Sequence, residues 1–286
     1  MHNKKNISDL SKFKILIVKF ILFLGQKTFI GRGQIRKILI NFINYFLGYG
    51  DIKKSRFVCK VNGIPFNFYN DYLTGIKVYF GRNEKKEIEF IKKNSQNNSV
   101  FVDIGSNMGL YTQSIAFLIN KNRKIKIISI EANPINNFRL RQNLNLIKYK
   151  NKNIFSFIKI KNCAVGDRNT RLNLDFSKGL ANGVISKNKS KKNILVKSKK
   201  LINIIKQEKL KFITNLKIDI EGFEDRVLIS FIKNAKKTLY PKNIILEHSM
   251  KNFWKKDLIN FLIKTGYKPI YRNNSNIILN FSQINE

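Results

Sequence analysis

From residue 100 onward, short apolar runs alternate with longer stretches whose apolar residues recur every three or four positions. Such runs are typical of strands buried on both faces of a parallel sheet, and the longer stretches are typical of the helices that connect them. The predicted strands cover 100–104, 126–130, 157–165, 216–220 and 243–246. The predicted helices cover 111–120, 134–146, 223–233 and 253–264. The pattern therefore predicts an α/β domain whose sheet begins near residue 100.

Segments around these five runs complete the predicted domain. Residues 60–80 alternate apolar and polar side chains and predict short strands or hairpins, followed by a helix over 83–93. At the other end, 267–272 and 276–281 predict a hairpin. Between the third and fourth runs, residues 187–211 are rich in lysine, with Glu208 as their one acid. This composition predicts a solvated insertion with one helix near 200–206.

Composition complicates the interpretation of charge. The chain has 286 residues, 43% of them hydrophobic, and a formal net charge of +37 from 55 Lys and Arg against 18 Asp and Glu. On its own this charge predicts a nucleic acid or an anionic membrane as partner. The excess is mostly lysine and accompanies abundant Asn and Ile, a combination that an A/T-rich coding bias also produces. Charge alone therefore does not decide the class of partner.

The N-terminal residues 1–59 predict a basic helical extension to a main domain over 60–286. The apolar stretch 13–24 is too short to cross a bilayer and contains Lys14 and Lys19, and no clean signal-peptide cleavage site follows. Residues 1–60 hold thirteen Lys or Arg against Asp9 and Asp51 alone, and Phe, Leu and Ile recur through 37–47. Two interpretations stay open. The extension forms amphipathic helices lying on an anionic membrane, or it forms ordinary helices packed beside the main domain.

Cysteine and histidine are scarce. Cys59 and Cys163 lack the spacing of a zinc site or a disulfide framework, and only His2 and His248 could assist them. We therefore expect no structural metal and a reducing, cytoplasmic location, with the inner membrane face as the alternative. An acidic pair at Asp219 and Glu221 offers ligands suited to Mg²⁺, but nothing in the sequence requires a metal.

The strongest motif follows the first predicted strand. It reads Asp103-x-Gly105-x-x-x-Gly109, with Ser106 and Asn107 inside the turn. Glycine permits a tight strand-to-helix turn and a close backbone approach. The spacing differs from the dinucleotide fingerprint, which places a pyrophosphate on a helix N-terminus. The turn therefore suits a cationic, phosphate-free nucleoside ligand, of which S-adenosylmethionine is one.

Two further motifs end the next strands. Glu131, followed by Ala132, Asn133 and Pro134, lies about 20 residues beyond the glycine turn, where a carboxylate can accept hydrogen bonds from ribose hydroxyls. At the end of the third run, Asp167 could accept from an adenine amine, while Cys163 or Ala164 packs on the ring. For each motif alone, a structural turn is the alternative.

An acidic cluster follows the fourth strand. Asp219 and Glu221 are two residues apart, so an extended chain would point both carboxylates to the same side. One could orient an acceptor hydroxyl or take its proton, and their repulsion would raise one pKa. Glu224 and Asp225 fit first-turn acids favoured by a helix dipole. The fifth strand ends at Glu247, and the following His248 is a candidate general base or an ordinary surface histidine.

Six of the acids share one placement, at the predicted carboxyl ends of strands, where open α/β sheets bind ligands. They are Asp103, Glu131, Asp167, Asp219, Glu221 and Glu247. In so basic a chain, this placement favours a single site.

Taken in order, these motifs resemble the FkbM-type methyltransferases, a branch of the class I enzymes that use S-adenosylmethionine. The resemblance covers roughly 60–247, and its most specific part is the Lys-Ile-Asp-x-Glu-Gly-x-Glu element at 217–224. It implies a Rossmann-like, seven-stranded, mostly parallel sheet with a reversed last strand. It also implies O-methylation of a hydroxyl on a sugar, glycan or related metabolite. Carried over, the cofactor residues are Asp103, Gly105, Asn107, Gly109 and Glu131, and the reaction centre is lined by Asp219 and Glu221.

Two departures from the family pattern are present. Ser106 stands where Ala is common, and Lys200-Leu-Ile-Asn203 stands where members have a Thr-Leu-Asp element. The rival functions are an RNA methyltransferase, or a catalytically idle protein that binds a membrane surface or nucleic acid. The chain lacks an Asn/Asp-Pro-Pro-aromatic loop for base amines, and neither cysteine follows a proline, so nucleic acid is not the expected substrate. The acceptor and the oligomeric state stay open.

Overall fold

The structure, a computed structural model, describes residues 12–29, 33–48, 53–70, 76–80, 84–175, 184–185 and 193–282. Its strands in chain order are β1 Phe57–Val61, β2 Ile64–Phe68, β3 Ser99–Ile104, β4 Ile125–Ile130, β5 Ile158–Lys161, β6 Ala164–Gly166, β7 Thr170–Asp175, β8 Val184–Ile185, β9 Asn193–Lys200, β10 Asn215–Ile218, β11 Asn243–Glu247, β12 Tyr267–Arg272 and β13 Asn276–Phe281. Its helices are α1 Lys12–Lys27, α2 Gly33–Leu47, α3 Lys85–Asn94, α4 Leu110–Ala116, α5 Pro134–Asn145, α6 Leu201–Gln207, α7 Glu224–Asn234 and α8 Leu258–Lys264.

A seven-stranded sheet forms the centre of the molecule, in the order β12-β13-β11-β10-β3-β4-β5. The five strands from β11 to β5 run parallel, and β13 runs antiparallel to both of its neighbours. The last strand of the chain is therefore the reversed one. This is the class I methyltransferase sheet that the resemblance implied, and the fold prediction is confirmed.

Alternate residues of the inner strands pack on opposite faces of this sheet. Val100 and Val102 of β3 belong to one core cluster, whereas Phe101 between them belongs to the other. Helices α6, α7 and α8 cover the first face, and α3, α4 and α5 cover the second. Because both faces are covered, the strands are apolar throughout rather than alternating, which explains the continuous apolar runs in the sequence.

The N-terminal unit, defined here as α1, α2, the β1–β2 hairpin and the 3-10 turn Ile76–Phe80, has its own apolar cluster. The Gln26 side chain joins its parts by donating to the backbone carbonyls of Lys60 and Tyr79 at 2.7 and 2.8 Å. Met108, from the glycine turn of the main domain, belongs to the same cluster. The unit therefore packs directly against the loop that follows β3. Among the described residues, no helix has the length and apolarity needed to cross a bilayer.

Two predicted boundaries were wrong for identifiable reasons. The third run is two strands, because the Asn162 side chain donates to the carbonyls of Glu131 and Ala132 and turns the chain after β5. The last predicted helix begins only at Leu258, after a 3-10 turn at Lys251–Phe253.

The lysine-rich segment also differs from the prediction. Its helix is present as α6, but its described part also includes β9, which pairs antiparallel to β7 and parallel to β6 in a four-stranded sheet. Val196 of β9 is buried, whereas Leu195 and Lys197 on either side are exposed. Lys197 and Lys199 thus lie on the outer face of a two-faced strand rather than in a wholly solvated insertion.

Candidate active site at the carboxyl ends of the strands

The glycine turn after β3 is held against two neighbouring strands. The backbone N–H groups of Gly105 and Ser106 donate to the Ile130 carbonyl at 2.9 and 3.1 Å. Gly105 has φ +74°, and a Cβ on it would lie 1.9 Å from the Asp219 carbonyl oxygen. At Gly109, with φ +93°, a Cβ would lie 2.3 Å from Leu140. Close packing against the Asp219 backbone therefore already requires Gly105, and the left-handed φ of Gly109 favours glycine at that position.

Asp103 lies at the end of β3 with no exposed surface. One carboxylate oxygen, Oδ2, accepts from the Thr112 hydroxyl at 2.6 Å, and Thr112 Oγ1 can in turn accept from the Ser129 hydroxyl, which lies 2.9 Å away. The other oxygen, Oδ1, is buried and has no hydrogen-bond partner among the described residues. Burial raises the pKa of Asp103 above its ordinary value, against the opposing charge of Lys217. An acceptor atom is thus left unsatisfied inside the site.

Glu131 joins the glycine turn to the end of β4. Its Oε2 accepts from the backbone N–H of Asn107 at 2.7 Å, and its Oε1 accepts from that of Asn133 at 2.8 Å. Asn107 adopts φ +51°, a left-handed conformation within the turn. Burial raises the pKa of Glu131 to about 7 even though both hydrogen bonds lower it. Asn133 in turn caps α5 by accepting from Ile135.

The third motif lies on the four-stranded sheet. Cys163 and Ala164 are buried, and burial raises the pKa of the Cys163 thiol. Asp167 follows β6 and lies half-buried, with Oδ1 3.5 Å from the Arg168 side chain. Ala132 packs against the small apolar cluster that contains Ala164. The structure therefore places Ala164 beside the end of β4, whereas the charged neighbour of Asp167 is the Arg168 side chain.

Lys217, on β10, is a buried cation in the middle of the site that the sequence analysis left without a role. Its ammonium donates to the Gly105 carbonyl at 3.1 Å and to Asp219 Oδ2 at 3.4 Å, and it lies 5.3 Å from the centre of the Tyr111 ring. Burial lowers its pKa, but the carboxylates of Asp219, Asp103 and Glu84 outweigh burial and raise it above the ordinary lysine value. The ammonium stays charged and ties the glycine turn to β10.

Asp219 and Glu221 do not lie on an extended chain. β10 ends at Ile218, and Glu221 has φ +57°, so the expected reason for a shared direction was wrong. The two carboxylates nevertheless interact. Burial, together with the charges of Asp219 and Glu247, raises the pKa of Glu221 to about 7. A group with this pKa exchanges protons readily near neutral pH.

Glu224 and Asp225 do more than complement the dipole of α7. Glu224 is fully buried, and its Oε1 accepts from the backbone N–H groups of Ile220 and Gly222 while its Oε2 accepts from the Trp254 indole at 2.8 Å. Asp225 accepts from the backbone of Lys255 at 2.8 Å. These bonds hold residues 254–256 in a non-helical conformation, which explains the late start of α8.

The end of β11 supplies the last two candidates. Glu247 is buried, its Oε1 accepts from the backbone and hydroxyl of Ser249, and its Oε2 has no partner among the described residues. Carboxylate oxygens of Glu247, Asp219 and Glu224 lie within 4.8 Å of one another. His248 is also buried, and burial together with Arg272 lowers its pKa. Its Nε2 has no partner in the described part of the chain.

The structure thus brings most of the predicted site together. Asp103, Glu131, Asp219, Glu221 and Glu247 share one end of the sheet, whereas Asp167 lies on the smaller sheet. The prediction omitted Lys217 and Glu84. Burial raises the pKa of Glu84 to about 7, and Lys217 is the main charge opposing that rise. A lysine inside an apolar strand was the available signal for Lys217, but no local pattern marks Glu84.

Comparison with known proteins gives one family match. The Methyltransferase FkbM domain model matches residues 103–269. No curated protein matches the sequence significantly.

Solved structures resemble the chain only distantly. Methyltransferase FkbM from Methylobacillus flagellatus KT shares 17% identity at a TM-score of 0.44, covering 64% of this chain and 44% of that one. The tRNA m1G37 methyltransferase of M. jannaschii shares 14% identity at 0.41, covering 82% and 59%. TYW2 of M. jannaschii, solved in complex with AdoMet, shares 14% at 0.41, covering 81% and 85%. This chain therefore spans less than half of the M. flagellatus protein, and likenesses at this distance add nothing to the fold that the sheet order establishes.

The family match is more informative, because it runs from Asp103 to Pro269 and so spans more than half of the chain. It includes the glycine turn, Glu131, Lys217 and the acids after β10, in the order that the family resemblance required. The chain belongs to the FkbM-domain methyltransferases.

Proposed function

We propose that the protein is an S-adenosylmethionine-dependent O-methyltransferase whose acceptor is a hydroxyl of a sugar, a glycan or a related metabolite. The observation that carries the proposal is the hydrogen bond from the Asn107 backbone to Glu131, which ties the glycine turn to β4 beside a group of buried acids. A family match to methyltransferases supports the reaction class.

The residues at this edge fit the cofactor in charge and in hydrogen-bonding capacity. Asp103 Oδ1 is a buried acceptor without a partner in the described chain, and such an atom favours a donor or a cation beside it. The cofactor would supply a methyl group on a positively charged sulfur. The residues proposed to hold it are Asp103, Gly105, Ser106, Asn107, Gly109, Glu131, Ala132, Asn133, Ala164 and Asp167.

Asp219, Glu221 and His248 are the proposed groups at the reaction centre. Glu221, with its pKa of about 7, would accept the proton of the acceptor hydroxyl. Asp219, fixed by the Lys217 ammonium, would orient that hydroxyl. His248 is the second candidate base because its lowered pKa keeps the imidazole neutral. Positioning would supply most of the acceleration, since a transferred methyl group needs in-line alignment.

Cofactor affinity provides the first test. Calorimetry should show that Glu131→Ala weakens S-adenosylmethionine binding at least tenfold, because a carboxylate hydrogen bond contributes about 1.5–3 kcal/mol. Glu89→Ala, which removes an exposed acid from α3, is the matched control and should bind as the natural protein does. Equal affinity for both variants would remove Glu131 from the cofactor site.

Transfer of a labelled methyl group provides the second test. With S-adenosylmethionine labelled in its methyl group, we expect label in glycans or sugar metabolites as ethers that resist mild alkali. Glu221→Gln should lower turnover by roughly 10²-fold or more while leaving cofactor affinity intact. Label in RNA would overturn the proposed acceptor, and cofactor binding without transfer to any of these classes would favour an idle protein.

A further inference from the structure

Helix α1 carries apolar side chains on two opposite faces. Val18 and Leu22, 0% and 1% exposed, face the cluster of the N-terminal unit. Four other apolar residues, spaced three, four and three apart, share a second helix face and are exposed by 56–67%, namely Phe13, Leu16, Phe20 and Phe23. Phe20 follows Val18 by two positions, which is slightly more than half a turn of an α-helix. The second face therefore lies opposite the first and points away from the core.

Helix α2 repeats the arrangement. Ile43 and Leu47 are buried in the same cluster. Its exposed residues have the same spacing of three, four and three, and are Ile35, Ile38, Phe42 and Tyr45. We call these two sets of four residues together the outer apolar face. Large side chains arranged this way are uncommon on a free surface and indicate an interaction site.

Basic residues accompany the outer apolar face, and acids do not. Neither α1 nor α2 contains an acidic residue. The exposed lysines of the two helices are Lys12, Lys14, Lys19, Lys27 and Lys37. The surface therefore combines exposed aromatic and aliphatic side chains with positive charge alone, which is the combination found in helices that lie in the headgroup region of a bilayer.

We propose that the outer apolar face docks the protein on an anionic lipid bilayer. Such a bilayer offers an apolar layer for the Phe, Leu and Ile side chains, and it offers negative headgroups for the lysines. A second copy of the chain would oppose lysines to lysines, and a nucleic acid would leave the aliphatic side chains in water. Of these three partners, anionic lipid is the one that complements both properties. This inference does not depend on the proposed methylation.

Docking would place the glycine turn close behind the bound surface. Met108 of that turn belongs to the cluster that holds the inner faces of α1 and α2, and the Tyr79 hydroxyl lies 3.7 Å from Met108 Sδ. An acceptor carried at the membrane surface would then have a short path to the site.

The test is cosedimentation of the full chain with phosphatidylcholine vesicles that contain either no phosphatidylglycerol or 30 mol% of it. We expect binding to the anionic vesicles only, and weaker binding at high salt. The double variant Phe20→Ser, Phe42→Ser should reduce binding at least tenfold, because both rings would leave the bilayer interface. Ile270→Ser, at an apolar position on β12 that is 52% exposed, is the matched control and should bind normally.

Charge reversal tests the electrostatic contribution to vesicle binding separately from the apolar contribution. Lys12→Glu with Lys19→Glu should reduce anionic-vesicle binding at least tenfold, whereas Lys236→Glu with Lys237→Glu, exposed positions before and within the 3-10 turn Lys237–Leu239, should not. Circular dichroism of each variant checks that folding is retained. Vesicle binding that is unchanged in the double variant Phe20→Ser, Phe42→Ser would overturn the proposal. So would a sedimentation experiment in which Phe20→Ser, Phe42→Ser converts a dimer to a monomer without affecting vesicle binding.

Discussion

The strand-end site and the outer apolar face of α1 and α2 are opposite in construction. At the site, oppositely charged groups such as Asp103 and Lys217 are buried and attract one another, whereas on the outer face Phe and Leu side chains are exposed among lysines. A net charge of +37 therefore describes neither region. The comparison teaches that the few acids indicate a functional site because they gather at the strand ends. The excess of lysine indicates an interaction surface only on α1 and α2, where exposed apolar residues accompany it.

The largest expected effect contrasts two turns with similar backbone conformations. Gly105 and Gly63 have φ +74° and +82°, but a Cβ at Gly105 would collide with Asp219 while one at Gly63 meets nothing within 4 Å. We expect Gly105→Ala to lower the free energy of unfolding by more than about 4 kcal/mol or to prevent folding, and Gly63→Ala to lower it by about 1 kcal/mol. Urea denaturation measures both, and equal losses would contradict the close packing at the site.

The two faces of α1 give the next contrast. Leu22→Ala should lower the free energy of unfolding by about 3 kcal/mol, because it leaves a cavity in the N-terminal cluster. Phe20→Ala, on the outer apolar face, should change it by no more than about 0.5 kcal/mol. Thermal or urea unfolding would reveal a wrong assignment of the faces if Phe20→Ala were the more damaging change.

The smallest effect concerns pH. Burial raises the pKa of Glu131 from 4.5 to about 7, so the folded chain favours its protonated form. That contribution to stability is complete below pH 4.5 and is lost as the pH rises through about 7. Glu131→Gln should therefore flatten the decline in unfolding free energy over this range by on the order of 2 kcal/mol. Glu89→Gln on α3 controls for the loss of one charge, and identical slopes in all three proteins would argue against a buried Glu131.

Much of the fold could be predicted because buried parallel strands are apolar on both faces. The starts of β3 and β11 lie within one residue of their predicted positions, and the hairpin β12–β13 has its predicted bounds. Five of the six predicted acids gathered as expected, because parallel strands end at the same edge of a sheet, whereas Asp167 follows a strand of the smaller sheet. The predicted element boundaries were wrong where a side chain distant in sequence determines the local conformation, as where the Trp254 indole donates to Glu224.

Other features depend on three-dimensional contacts that no local pattern contains. Lys217 is a charged residue in an apolar run, and only the carboxylates from three separate elements make its burial tolerable. Glu221 takes a positive φ that its residue type does not favour, so alternation along a strand gave the wrong geometry. The outer face of α1 was undecided because a helix with apolar residues on two opposite faces has no preferred face until its neighbours are known.

Asn143 on α5 connects the two regions through a single side chain. Its Oδ1 accepts from the Asn67 backbone in the N-terminal hairpin at 2.9 Å, and its Nδ2 donates to the Met108 carbonyl in the glycine turn at 2.8 Å. Free-energy coupling between two sites is reciprocal. To the extent that a ligand at the glycine turn tightens these bonds, it strengthens the N-terminal unit, and engagement of that unit by a surface strengthens ligand binding by the same amount. Ligand binding at the glycine turn and docking of the N-terminal unit would then be thermodynamically coupled.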